Sequence, residues 1–194
     1  MKKMIKLTLF IAGLLALQGC VTAAVLGTAG IGAKVATAPR TTGTQIDDET
    51  LEEKVLYAIK KDEQIKEEGR VNVVSYSGRI LLIGQVPQES LKEIATSLAE
   101  GVDGVSSDNV YNQLRIGSPI TAGQISKDAW ITTQIKTKLV GSAQVKMTDV
   151  KVITENGEVF LMGNLTQAQA NAAADVAANT SGVQKVVKVF KYLD

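Results

Sequence analysis

The sequence predicts an α+β protein: two tandem αββαβ domains, each a three-stranded mixed sheet with two helices on one face. Three observations carry this. GRILLIG at 78–84 recurs as GEVFLMG at 157–163, an offset of 79, and VNVVSYSG aligns with VKVITENG just before it. Upstream, Leu51, Val55 and Ile59 match Ile131, Ile135 and Leu139, each set spaced i, i+4, i+8 as one face of a helix. Downstream, Leu91, Ile94, Ala95 and Leu98 match Ala170, Ala173, Ala174 and Ala177. Self-similarity at one fixed offset marks a duplicated unit.

The elements follow in order. MKKMIK carries three lysines and precedes an apolar run from Leu7 to Leu17. A basic start and an apolar stretch too short to span as a mature helix make residues 1–19 a signal peptide. LQGC, ending at Cys20, resembles a bacterial lipobox with Gln18 at a position more often small. That resemblance implies cleavage before Cys20 and acylation of its thiol and amine. The alternative is an ordinary secretory signal with a chance cysteine. Cys20 is the sole cysteine, which excludes a disulfide framework. Val21, rather than Asp, resembles the signal for outer-membrane delivery. Residues 20–46 are rich in Ala, Gly and Thr without a sustained period and read as a flexible tether, reaching about 25–30 Å.

The first domain is expected over 47–116. Its opening helix is entered through Asp47 or Asp48, acceptable N-caps. Two β-rich runs meet at Tyr76-Ser77-Gly78, a second helix covers 88–100, and Val110–Leu114 closes the sheet. The second domain is expected over 117–194. Its first helix is entered through Ser126 or Asp128, and Asn156-Gly157 is a strong hairpin signal. Thr166-x-x-Gln169 reads as a capping box before a helix at 167–179, and Val186–Tyr192 alternates as the last strand. Gly84 and Gly163 end the second strand of each copy. They read either as backbone contacts with a partner or as tight strand exits.

Charge excludes some functions. Without residues 1–19 the chain carries a net −2, divided as +2 over 20–46 (Lys34 and Arg40), −6 over 47–116 and +2 over 117–194. There is no basic cluster with interleaved aromatics, so no nucleic-acid binding is expected. There is no histidine, no metal-ligand spacing, no phosphate loop and no nucleophile elbow. No enzyme, metal or cofactor is expected.

One side chain stands out. On the helix opened by DAWITTQI, the apolar face centres on Ile135, and Trp130 lies roughly 140° away from that centre. Its wheel neighbours are Thr133, Gln134 and Thr137, flanked by Lys138 on one side and by Lys136 and Val140 on the other. An indole among hydroxyls and lysines suits a bilayer interface. The competing reading packs Trp130 against the other domain, since exposed apolar residues often mark interfaces.

The lipobox, the two αββαβ units with G-x-(apolar)₄-G, the late SGV and DAWITTQIKTKL together resemble the dual BON-domain lipoproteins of Gram-negative bacteria, over essentially the whole chain. The resemblance implies a lipid-anchored, periplasm-facing outer-membrane protein that supports envelope integrity and gathers at division sites. It implies that the second domain's first helix binds anionic phospholipid, phosphatidylglycerol in particular. The contacts carry over to Trp130, Ile135, Lys136 and Val140, with Gln134 standing where a basic residue is usual. The expected phospholipid surface is thus Trp130, Thr133, Gln134, Ile135, Lys136, Thr137, Lys138 and Val140. A periplasmic scaffold, or an accessory partner of outer-membrane assembly proteins, is the second reading.

Overall fold

Residues 42–193 are described by a computed structural model. Cys20, the signal peptide and the tether up to residue 41 lie outside the described residues.

Helix α1 (Thr42–Ile59) takes in residues 42–46, which the sequence pattern assigns to the tether. A short helix α2 (Glu63–Glu68) follows, capped by Asp62, whose carboxylate accepts the Ile65 amide at 2.9 Å. It went unpredicted because six residues are too few to show a helical period. Strands β1 (Arg70–Tyr76) and β2 (Arg79–Val86) form an antiparallel hairpin. Helix α3 (Glu89–Glu100) crosses to β3 (Val110–Asn112), which pairs parallel with β2. The expected Val110–Leu114 strand is broken. The Asn112 side chain takes the Leu114 amide at 3.0 Å, and pairing with β2 resumes in β4 (Arg115–Ile116). The first sheet therefore has four strands.

The second copy repeats the plan. Helix α4 (Ala122–Val140) leads to β5 (Val150–Glu155) and β6 (Glu158–Thr166), antiparallel to each other. Helix α5 (Gln167–Ala178) carries the expected capping box, and β7 (Lys185–Leu193) lies parallel to β6. Both hairpin turns have two central residues at positive φ: Ser77 and Gly78 at 51° and 73°, Asn156 and Gly157 at 50° and 76°. Such turns match the twist of the strands they join.

Each sheet has one face against its helices and one against the other sheet. In β2, Ile80, Leu82 and Val86 point to α1 and α3; in β6, Val159, Leu161 and Leu165 point to α4 and α5. The alternate residues face the other way and make a third cluster. It joins Val74, Tyr76, Leu81 and Ile83 of the first copy to Phe160, Met162 and Val189 of the second. The result is four layers, helix–sheet–sheet–helix. This explains why every residue of β2 is buried: it is covered on both faces, as continuous apolar strands require.

Polar groups tie the seam. The buried Arg79 guanidinium donates to the Gly163 carbonyl at 3.2 Å and to Asn164 Oδ1 at 2.7 Å. Burial lowers its pKa, yet guanidinium stays charged, so these acceptors offset a real desolvation cost. Buried Glu155 accepts from Arg70 and from the Gln85 amide, and Lys151 pairs with Glu52 at 2.6 Å.

Gly84 is required by its own hairpin. A Cβ there would lie 1.8 Å from the Arg70 carbonyl oxygen, at φ +126°. At Gly163 it would lie 2.7 Å from the Asp149 carbonyl oxygen. Both glycines admit the neighbouring strand, which is the tight-exit reading rather than a partner contact.

Candidate functional site

Helix α4 is nineteen residues long and begins a full turn earlier than the expected N-caps. Thr121 is the N-cap: its hydroxyl accepts the Gln124 amide at 3.3 Å. Asp128 is therefore not a cap but an interior residue. Its buried carboxylate turns inward and accepts the amides of Asn156 at 2.7 Å and Gly157 at 2.9 Å. Asp48, inside α1, does the same for Ser77 at 2.8 Å and Gly78 at 2.9 Å. Asp47 and Ser126 are exposed helix-interior residues as well. Each first helix is thus bolted to its own hairpin turn, which fixes its rotation on the sheet.

With that rotation set, Ile131, Ile135 and Leu139 are buried in the second core. Trp130 points away from it and is 52 % exposed. The indole is not in the seam cluster, so the interdomain packing alternative does not describe its position. Val140, at the helix end, is 70 % exposed. Thr133 and Thr137 are exposed between them, Lys136 is exposed beyond Val140, and Gln134 is half-buried on the Trp130 flank.

Two expected members leave the face. Ile135 is fully buried in the second core and is not part of the exposed face. Lys138 reaches sideways: its ammonium donates to the Asn179 carbonyl at 2.9 Å and to Thr180 Oγ1 at 3.0 Å. It satisfies a carbonyl at the C-terminus of α5, where cations are favoured. Lys136, by contrast, makes no hydrogen bond or ion pair with any described residue. The Thr133 and Thr137 hydroxyls donate back to the carbonyls of Ala129 and Thr133, each at 2.9 Å. Their donors are thereby satisfied within the helix, which lowers the cost of taking this face out of water.

One exposed apolar residue was missed. Ile125 sits in the unpredicted first turn of α4 and is exposed. It lines a cleft of about 320 Å³ with Ala129, Thr132 and Arg70. Had Thr121 been read as the N-cap, Ile125 would have fallen on the helix. The described face is an amphipathic surface: exposed Trp130 and Val140, the internally bonded hydroxyls of Ser126, Thr133 and Thr137, and the exposed ammonium groups of Lys127 and Lys136. It contains no pair of groups suited to proton transfer or nucleophilic attack. Among the described residues there is no cluster able to hold a metal, and no helix is long and apolar enough to cross a membrane.

Comparison with known proteins adds the following. The sequence profile of the BON domain matches residues 47–118 and 127–194. The chain is 63 % identical over 97 % of its length to the outer membrane lipoprotein DolP of Haemophilus influenzae, covering 96 % of that protein. It is 58 % identical to the 21 kDa hemolysin of Actinobacillus pleuropneumoniae, over 80 % of this chain and 79 % of the other. It is 30 % identical to the osmotically-inducible protein Y of Escherichia coli, over 80 % of this chain and 77 % of the other.

Proposed function

The chain belongs to the BON-domain family, and from that premise we propose that its second domain binds anionic phospholipid, phosphatidylglycerol above all, through the outward face of α4. It is an outer-membrane lipoprotein, as its 63 % identical relative is. In the proposed arrangement acylated Cys20 holds the chain at the membrane, and α4 reads the composition of the lipid surface in support of envelope integrity, most of all at division sites.

The single observation that carries this reading is the exposure of Trp130 on a helix whose rotation is locked by Asp128. A half-exposed indole costs stability in water and gains it at headgroup depth. Lys136 adds attraction to an anionic surface, worth about 1 kcal/mol. These are small terms. They suffice because the anchor keeps the domains close to the bilayer, so the face acts at high effective concentration.

Vesicle flotation of the Cys20→Ser chain tests the proposal. It should float with vesicles containing phosphatidylglycerol and stay in the soluble fraction with phosphatidylcholine alone. Equal behaviour with both would contradict recognition of anionic lipid.

A further inference from the structure

The first domain carries an unused surface of its own. On α1, Ile46 and Tyr57 lie within about 20° of one another on the helix wheel, directly opposite the Val55–Ile59 core stripe. Tyr57 is 69 % exposed and Ile46 58 %. Ile94 is exposed on the neighbouring helix α3. Around them the outer helix layer, residues 42–69 and 88–109, presents eleven exposed carboxylates against four exposed lysines. One of those lysines, Lys61, sits over the Tyr57 ring at 4.9 Å.

We propose that this outward face of α1 and α3 is a docking surface for a cationic protein partner. Aromatic residues in a polar frame are the usual anchors of protein interfaces. The excess of carboxylates selects the partner's sign: it attracts a lysine- or arginine-bearing surface and repels anionic lipid. The four-layer fold places α1 and α3 on the side of the sheets opposite α4. With α4 on the bilayer, the acidic face looks away from it, open to a soluble or protruding protein. That orientation rests on the lipid reading; the docking itself does not.

Site-specific photocrosslinking in cells tests this with the full, anchored chain. p-Benzoylphenylalanine placed at position 57 should give a discrete adduct with another protein, joined through a peptide of net positive charge. The same group at exposed Asn171 on α5 should not give that adduct. Combining Glu53→Lys with Glu93→Lys should lower the yield about tenfold. Both side chains are exposed, so the fold should be kept; should that pair melt early, Glu53→Gln with Glu93→Gln should lower the yield in the same direction. The adduct should persist in Trp130→Glu, which separates this surface from the lipid face. Absence of an adduct, adducts only with lipid or a second copy of the chain, or a yield insensitive to these charges would each overturn the proposal.

Discussion

Asp128 accepts the backbone amide of Asn156 at 2.7 Å, joining the middle of α4 to the turn between β5 and β6. Asp48 makes the equivalent bond to Ser77 at 2.8 Å in the first domain. The bond is what turns a helical pattern into a defined surface. A helix packed only by aliphatic side chains can rotate by small amounts; a carboxylate gripping two turn amides cannot follow. Trp130, two residues after Asp128 and about 200° further round, is thereby held outward.

Asp128→Ala should therefore cost more than an ordinary surface change. It leaves two turn amides without their acceptor, a loss of about 1–3 kcal/mol. Chemical denaturation of the mature chain checks this. A change within error of zero would show that the turn is held by its strands alone.

The two strand-exit glycines should differ. Gly84→Ala meets the Arg70 carbonyl oxygen at 1.8 Å and a positive φ, while Gly163→Ala meets the Asp149 carbonyl oxygen at 2.7 Å and the Leu165 side chain at 3.2 Å. The first should destabilise by at least about 3 kcal/mol and the second by less. Equal losses would mean that the backbone conformation at Gly84 is not strained by a side chain.

The seam makes a prediction about cooperativity. Ile83 faces Phe160 and Met162 rather than the helices of its own domain. Ile83→Ala should cost about 2–5 kcal/mol and begin to separate the melting of the two halves in calorimetry. A single unfolding transition of unchanged midpoint would argue against the shared cluster.

Much of this was legible in the sequence. The duplication followed from GRILLIG and GEVFLMG, because a strand covered on both faces must be apolar throughout and its exit must admit a neighbouring backbone. The outward Trp130 followed from helical spacing alone. What stayed hidden depended on contacts between distant residues. Asp48 and Asp128 look like N-caps in sequence, since the same carboxylate chemistry serves a helix start and a hairpin turn. The seam cluster was invisible because a residue facing another domain and one facing its own helices look alike within an apolar run. Lys138 stands on the helix wheel as one more exposed lysine, and its acceptors lie about forty residues away, at and just beyond the end of α5.

Lys136 and Lys138 now separate. Lys136→Gln should weaken binding to phosphatidylglycerol vesicles about fivefold at low salt, with no change in thermal stability. Lys138→Gln should lower stability by about 0.5–1 kcal/mol and leave lipid binding nearly unchanged. The reverse pattern would place the wrong lysine at the membrane.

The most direct test of the central claim is the emission of the sole tryptophan during titration with vesicles. In buffer, Trp130 should emit as a solvent-exposed indole. On addition of phosphatidylglycerol vesicles its maximum should move to shorter wavelength, with a small residual shift at high salt because burial of the ring is not electrostatic. A spectrum already blue in buffer, or one unmoved by anionic vesicles, would contradict the assignment of α4 as the lipid-contacting surface.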